Sequence, residues 1–439
     1  MISSPIGVPT LQIRNALLIT GEEREEPFFG WIEVHGRRIG RVERGDAPAI
    51  PGVRVIDAEG GALLPGLVNA HAHSHSSLTR GSAEGMTLER WIDTIEREQS
   101  RLTDEDAYVA ALATYGEALL SGTTSIVDMC LRPRPAMRAA RALGIRVAIA
   151  PYVLDGRAFA PTLDDVEALL RDKAARGGTV DIWVGLHDLE SCADDTVRRG
   201  AQMARDFGTG LHLHCSESRF SVDRTLRRTG MTPIAHLQAL GALGPRTLLA
   251  HCVWADGDDR AILARTATRV AHCPHANLKL ASGFAPVPAM IDAGIKVALA
   301  TDGAKANNRL DMFDVMKFAS LLHRGVALDA SVISPAAVLG MATHGGALGQ
   351  EGGSIAPGRV ADLILVDVRQ FHLQPAVPST IETNLVHSAR GSDVRTVIVD
   401  GEVVVEDGQL VRLPMAPIVD SMRATADRLM AHDEISQPQ

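Results

Sequence analysis

Two histidines separated by a single residue, His71 and His73, follow the apolar run 62–70. Alternate residues of a β-strand point to the same face, so both imidazoles would leave such a strand together. A strand can offer two nitrogen ligands to one metal ion in this way. On spacing alone, two buried core histidines explain the pair equally well, because the chain contains 16 histidines.

Other apolar runs also end in side chains that can bind a metal or transfer a proton. These side chains are His187, His214, His251 and Asp302, with Glu217 three residues after His214. A histidine on a single apolar strand is usually a packing residue. Metal-capable side chains at the ends of this many separate predicted strands indicate a metal site instead. His212 would share a strand face with His214, and we assign it no metal role.

The elements that would position these side chains alternate between strand and helix from residue 63 to residue 354. The clearest helix is Thr103–Ser121, with three acidic residues in its first turn. Eight alternating units predict an α/β chain with a (β/α)8 TIM barrel, whose active site forms at the C-terminal ends of the strands. The predicted barrel strands are Leu63–His71, Thr123–Asp128, Ile145–Val153, Val180–His187, Gly210–His214, Thr247–His251, Thr268–His272 and Ile295–Asp302.

The two ends of the chain are rich in short β segments separated by turn residues. Neither end has enough strands for a stable sheet sandwich of its own. We therefore predict one small β-sandwich domain built from residues 1–62 and 355–412. Residues 413–439 are predicted to form a C-terminal helix, centred on Ile418–His432, and a tail.

Composition excludes several classes of protein. The net charge is −9 and the isoelectric point about 6.0, which argues against a nucleic-acid or anionic-membrane partner. No apolar stretch approaches the roughly 20 residues that span a bilayer. The five cysteines have no CxxC spacing, and Met1–Pro5 does not begin a signal peptide. We expect a cytoplasmic protein.

Several motifs together resemble the amidohydrolase superfamily. They are Pro-Gly-Leu-Val-Asn-Ala-His-Ala-His at 65–73, His-Cys-Ser-Glu at 214–217, Ala-His-Cys at 250–252, Asn-Leu-Lys-Leu-Ala-Ser-Gly at 277–283 and Thr-Asp-Gly at 301–303. The resemblance is greatest to the branch of heterocycle aminohydrolases. That branch contains methylthioadenosine/S-adenosylhomocysteine deaminases, guanine deaminases and triazine hydrolases.

The resemblance implies one divalent metal ion held by His71, His73, His214 and Asp302. Three imidazoles and a carboxylate suit Zn²⁺ best, while Fe²⁺ or Mn²⁺ could occupy the same ligands. Binuclear relatives use a carboxylated lysine on the fourth strand. The segment Val180–His187 has no lysine, which favours a mononuclear site.

The resemblance also assigns chemical roles. The metal would lower the pKa of a bound water and supply hydroxide near pH 7. Asp302 would accept a proton from that water, His251 would polarise the reacting centre, and Glu217 would carry protons to the ring and the departing amine. His187 and Trp91 are predicted to contact the substrate. The alternatives are a structural hydrogen bond for His187 and helix packing for Trp91.

These roles predict a metal-dependent hydrolytic deaminase of an amino-substituted purine-, pyrimidine- or triazine-like heterocycle, which releases ammonia or an amine. The alternative is a triazine hydrolase-like enzyme that displaces chloride, alkylthio or an amide nitrogen. A non-catalytic binding homologue is disfavoured because no ligand position is lost. The expected partner is a small heterocyclic molecule, and we expect a homo-oligomer.

The predicted substrate-facing loops depart from the branch. Nucleoside deaminases usually carry a ribose-binding glutamate nine residues after the rim tryptophan, where this chain has Ser100. That departure counts against a nucleoside. Asp188 and Glu190 would favour a cationic substrate, whereas Lys305 would favour an anionic one. Which of these three reach the pocket is open from sequence.

Overall fold

A computed structural model describes residues 9–22, 25–86, 88–344 and 353–430. The predicted N-terminal segment Met1–Pro5 and the predicted tail after residue 430 lie outside the described residues. The strands are β1 Leu11–Leu18, β2 Phe28–His35, β3 Arg38–Arg44, β4 Arg54–Asp57, β5 Ala62–Pro65, β6 Leu67–Ala72, β7 Thr123–Cys130, β8 Arg146–Pro151, β9 Val180–Ile182, β10 Val184–Gly185, β11 Leu211–Cys215, β12 Thr247–His251, β13 Arg269–His272, β14 Val297–Leu299, β15 Leu363–Val366, β16 Val394–Val399, β17 Glu402–Glu406 and β18 Gln409–Leu410.

Helices alternate with the central strands. They are α1 Leu88–Gln99, α2 Asp104–Leu120, α3 Pro133–Leu143, α4 Leu163–Arg171, α5 Asp194–Asp206, α6 Arg219–Thr229, α7 Pro233–Ala239, α8 Gly257–Thr266, α9 Pro274–Lys279, α10 Val287–Asp292, α11 Ala304–Asn307, α12 Met312–Ala327, α13 Pro335–Ala342, α14 Ile381–His387 and α15 Met415–Met430. A short 3-10 helix, Ser74–Thr79, follows β6 directly. None of the described helices is both long and apolar enough to cross a membrane.

The chain divides into two compact units. One comprises Met1–Val68, Ala118–Ser125 and Asp311–Leu413, and the other comprises Asn69–Glu117, Ile126–Leu310 and Pro414–Gln439.

The first unit contains a nine-stranded sheet with strands from both ends of the chain. Its order is β18-β17-β16-β15-β5-β1-β2-β3, and β4 pairs with β1. The two ends meet where β15 runs antiparallel to β5, with Ile364 opposite Leu64. Apolar side chains of β1, β2, β15 and β16, among them Ile13, Ile32 and Leu363, form its buried core. Burial of these side chains supplies the main favourable free energy for pairing strands so distant in sequence.

Parallel strands flanked by helices make up the rest of the fold, which confirms the predicted α/β class. They form a four-stranded sheet, β6-β7-β8-β9, and a five-stranded sheet, β10-β11-β12-β13-β14. Most of their residues are buried, and all of β7 is, as expected for strands covered on both faces. Past the end of β14, the amide of Asp302 donates to the carbonyl of His71 at 3.0 Å.

The predicted first barrel strand, Leu63–His71, is instead two strands. Gly66 separates β5, which pairs in the terminal sheet, from β6. A Cβ at Gly66 would lie 2.1 Å from Oγ1 of Thr124, so the close approach of the chain there requires glycine. The single-strand prediction was wrong because the contact that interrupts the strand is tertiary.

Helix α2, Asp104–Leu120, lies within the predicted helix Thr103–Ser121. Thr103 caps α2: its hydroxyl accepts from the Asp106 amide at 3.2 Å, while the Asp106 carboxylate accepts from the Thr103 amide at 2.9 Å. Thr162 and Asp165 cap α4 by the same reciprocal pair of hydrogen bonds. Each cap supplies hydrogen-bond acceptors for backbone amides that the first helical turn would leave without a partner.

Candidate active site

Four predicted metal ligands converge at the C-terminal ends of β6, β11 and β14. Nε2 of His73 lies 3.2 Å from Nε2 of His214. Oδ1 of Asp302 lies 3.6 Å from Nε2 of His71 and 3.5 Å from Nε2 of His73. Three donor nitrogens and one carboxylate therefore surround one small volume in the interior.

Two overlapping groups of three have ligand atoms within 4.8 Å of one another. One group is His71, His73 and Asp302, and the other is His71, His214 and His251. His71 belongs to both groups and therefore lies at the centre of the cluster.

Backbone carbonyls fix the orientation of two of these imidazoles. Nδ1 of His73 lies 2.8 Å from the carbonyl oxygen of Met129, and Nδ1 of His214 lies 2.8 Å from that of His187. A carbonyl oxygen only accepts, so each Nδ1 carries the hydrogen and donates it. The lone pair of each neutral ring is then on Nε2, which faces the cluster.

A second histidine orients His71. Nδ1 of His212 lies 2.8 Å from the carbonyl of Leu248, so it carries the hydrogen, and Nε2 of His212 bears the lone pair. Nδ1 of His71 lies 2.7 Å from that Nε2 and must donate to it. The lone pair of His71 is therefore also on Nε2.

A divalent cation fits this arrangement. Nε2 of His71 is buried and has no hydrogen-bond partner among the described residues. The lone pairs of His73 and His214 face each other at 3.2 Å, a repulsive contact unless a cation lies between them. Burial lowers the pKa of His71 and His214 well below the usual value and that of His73 to about 3, so all three are neutral, as metal ligands must be.

Two residues at the strand ends adopt left-handed backbone conformations that non-glycine residues rarely take. The φ angles are 74° at His251 and 62° at Asp302. Such conformations cost about 1–3 kcal/mol each and are concentrated at functional sites. Here they occur where the chain turns its side chains into the cluster.

Glu217 and His251 lie side by side next to the cluster. Oε2 of Glu217 is 3.7 Å from Nε2 of His251, whose Nδ1 donates to the side-chain oxygen of Asn277 at 2.9 Å. Burial raises the pKa of Glu217, although His251 partly offsets it. A carboxyl group with a raised pKa can hold and release a proton nearer neutral pH, as a general acid–base requires.

A cavity of about 240 Å³ opens onto these groups. The predicted substrate contacts His187 and Trp91 both line it, as do His73, His214, Glu217, His251 and Asp302. Nε1 of Trp91 is buried, with no hydrogen-bond partner among the residues the structure describes. An indole N–H in this position is available to a ligand.

Asp188, Glu190 and Lys305 all line the cavity, which answers the question the sequence left open. Each lies beside a side chain of opposite acid–base type: Asp188 lies 3.0 Å from Nδ1 of His187, and Glu190 lies 3.2 Å from Arg224. Burial alone would lower the pKa of His187, because it disfavours the charged imidazolium. The neighbouring Asp188 carboxylate outweighs burial, so the pKa of His187 is raised.

Lys305 forms the most buried of these pairs. Its Nζ lies 2.6 Å from Oε1 of Glu98, and the two side chains are 2% and 11% exposed. Lysine is almost never so buried without a partner. Since Arg224 neutralises Glu190 and Glu98 neutralises Lys305, neither Glu190 nor Lys305 favours one sign of substrate charge in the way that the isolated residue suggested.

Sequence reasoning missed part of this network. His212, to which no metal role was assigned, orients His71 directly, and its position two residues before His214 was the available signal. The Asn277 contact with His251 and the Glu98 contact with Lys305 join residues far apart in the chain. No local pattern reveals such contacts.

The model of the amidohydrolase family matches residues 62–404. The chain therefore belongs to the amidohydrolase family, as the motifs indicated.

Relatives with named activities cover nearly the whole chain. It is 34% identical over 409 residues to the 5-methylthioadenosine/S-adenosylhomocysteine deaminase of Syntrophomonas wolfei, covering 91% of this chain and 94% of that protein. An adenosine deaminase structure from Xanthomonas campestris with bound zinc has a TM-score of 0.90 at 28% identity, covering 96% and 99%. The zinc complex of atrazine chlorohydrolase from Arthrobacter aurescens TC1 has a TM-score of 0.88 at 25% identity, covering 95% and 100%.

Proposed function

We propose that this protein is a metal-dependent hydrolytic deaminase that removes the exocyclic amino group of an adenine nucleoside. The observation that carries the proposal is the convergence of three oriented Nε2 atoms and the Asp302 carboxylate beside Glu217 and His251. The similarity to a deaminase of adenosine derivatives supports an adenine nucleoside as the substrate. Ser100, at the position where nucleoside deaminases usually carry a ribose-binding glutamate, counts against it.

The proposed ligands are His71, His73, His214 and Asp302, and the proposed metal is a single zinc ion. Imidazole nitrogens with one carboxylate suit Zn²⁺, and zinc is bound in the similar structures of an adenosine deaminase and a chlorohydrolase. A bound divalent cation would lower the pKa of a water molecule it holds.

The chain's own residues do the rest of the chemistry. Asp302 takes a proton from the attacking water while the water oxygen bonds to the carbon that bears the amino group. Glu217 donates a proton to the adjacent ring nitrogen, and His251 stabilises the charge that develops at the reacting centre. Glu217 then takes up the hydroxyl proton of the addition product and passes it to the exocyclic nitrogen, so that ammonia leaves as the ring carbonyl forms. The proton held by Asp302 finally restores that of Glu217. Trp91 and His187 hold the substrate in the cavity.

The architecture can be proposed in finer detail. We propose that the two parallel sheets close into one (β/α)8 barrel, in which β9 and β10 are two parts of one interrupted strand. Trp183, the residue between them, supports this, because its amide donates to the carbonyl of Ile149 in β8 at 2.8 Å. The terminal sheet would form the small β-sandwich, with domain boundaries near residues 62, 354 and 412. A cytoplasmic homo-oligomer remains part of the proposal.

The test incubates purified, metal-analysed protein with adenosine, 5'-methylthioadenosine, guanine and aminotriazines that carry chloride or alkylthio groups, with the Glu217→Gln variant as control. Ammonia, chloride and thiol release are measured. We expect ammonia from the adenine nucleosides and loss of that activity in the variant. Release of chloride or thiol from substituted triazines, with no ammonia from any nucleoside, would instead support the hydrolase alternative.

A further inference from the structure

The last helix of the chain reaches the substrate cavity. Leu429, near the C-terminal end of α15, lines the cavity and is only 5% exposed. The family match ends at residue 404, so α15 lies beyond it. One wall of the cavity therefore comes from a segment outside the matched family domain.

Leu429 belongs to an apolar cluster that also includes Leu78, Leu102 and Tyr152. Leu78 is in the 3-10 helix that immediately follows His73. The ring of Tyr152 is centred 5.5 Å from that of His73 and 4.7 Å from that of His187. The wall formed by Leu429 is thus continuous with the packing around a proposed metal ligand and a proposed substrate contact.

An ion pair attaches the same end of α15 to α2. Arg428 hydrogen-bonds to Asp106, the residue that completes the cap of α2 with Thr103. Met422, further back on α15, packs against the same apolar cluster as Leu429. Polar and apolar contacts together fix the position of Leu429 at the cavity wall.

We propose that Leu429 is a specificity-determining residue, which selects substrates with an apolar substituent away from the reacting amino group. This inference rests on the proposed deaminase function. Leu78 and Leu102, which belong to the same apolar cluster as Leu429, also line the cavity, so the part of the wall around Leu429 is apolar. An adenine nucleoside with an alkylthio group at its 5' position has this chemistry, whereas adenosine has a hydroxyl there.

The test compares Leu429→Ala with Met430→Ala. Both changes truncate a long apolar side chain at adjacent positions of α15, but Met430 is 40% exposed and is not among the cavity-lining residues. Removing apolar contacts from a binding pocket costs on the order of 10–200-fold in specificity. For Leu429→Ala we expect at least a ~10-fold fall in kcat/KM for 5'-methylthioadenosine relative to adenosine, mainly through KM. Met430→Ala should keep the wild-type ratio.

The outcomes separate the inference from the proposed function. If wild-type protein deaminates both nucleosides but Leu429→Ala leaves their ratio unchanged, Leu429 does not determine specificity. The inference also fails if Met430→Ala changes the ratio equally. If neither nucleoside releases ammonia, the proposed function fails and a second measurement decides whether Leu429 lines an accessible cavity.

That measurement uses Leu429→Cys and Met430→Cys with thiol-specific reagents of two sizes. The five native cysteines are all buried, but Cys215 also lines the cavity, so both variants are made in a Cys215→Ala background. We expect a small methanethiosulfonate to modify the protein with Leu429→Cys, a bulky one to fail there, and both to modify the protein with Met430→Cys. Equal reaction of both reagents at position 429, or reaction of neither, would overturn the placement of Leu429 at the cavity.

Discussion

Nδ1 of His71 lies 2.7 Å from Nε2 of His212, and both rings are fully buried. Because His212 donates its own hydrogen to the carbonyl of Leu248, it can only accept from His71. This relationship directs the lone pair of His71 into the cluster of proposed ligands. Burial lowers the pKa of His212 to about 4, so it stays neutral and keeps this role at physiological pH.

Replacing His212 should weaken metal binding without removing a ligand. We expect His212→Phe to lower metal affinity by about 10–100-fold, since partners that orient metal-binding histidines typically contribute that much. His212→Gln should retain more affinity, because its amide can accept from His71 and donate to Leu248. Competition with a chelator of known affinity measures both. Equal affinity in wild-type protein and His212→Phe would show that His212 does not orient the ligand.

Glu217→Gln keeps the size of the side chain and removes its ability to exchange a proton. We expect normal metal content and a loss of about 10²–10⁴-fold in kcat, the range for a general acid–base. Elemental analysis and steady-state ammonia release are the two measurements. Normal turnover in a variant with full metal content would exclude Glu217 as the proton carrier.

Glu98 and Lys305 should be strongly coupled in stability. Removing one partner leaves the other charge buried and unpaired in the cavity wall. Glu98→Gln and Lys305→Met should therefore each lower the free energy of unfolding by about 3–5 kcal/mol. The double variant should cost much less than their sum. The exposed pair Glu167–Arg171 has the same 2.6 Å separation and should show a coupling below about 1 kcal/mol. Urea unfolding of both double-mutant cycles measures the difference, and equal coupling in the two cycles would contradict it.

Acid should destabilise the protein partly through His323 of α12, which is buried. Burial lowers its folded-state pKa from 6.5 to about 4. The unfolded chain therefore binds this proton first, and stability present above pH 6.5 is lost as pH falls towards 4, by roughly 3 kcal/mol in all. His323→Gln should flatten the dependence of the free energy of unfolding on pH between 4.5 and 7. An unchanged slope would show that His323 does not contribute.

The sequence was sufficient for the α/β class and for the side chains that meet at the cluster. Proposed ligands such as His73 and Asp302 lie at the ends of apolar runs, and parallel strands bring such ends together. The division of the first strand at Gly66 depends on Thr124, which is distant in the chain. The orientation of His71 likewise depends on a carbonyl of β12, and Leu429 reaches the cavity only through the packing of α15. These features follow from tertiary contacts, which periodicity and spacing do not encode.

Metal dependence of ammonia release tests the central claim most directly. Purified protein should contain about one divalent metal ion per chain, lose both the metal and its deaminase activity towards an adenine nucleoside on chelation, and recover both with added zinc. Undiminished ammonia release from protein shown to be free of metal would contradict the account.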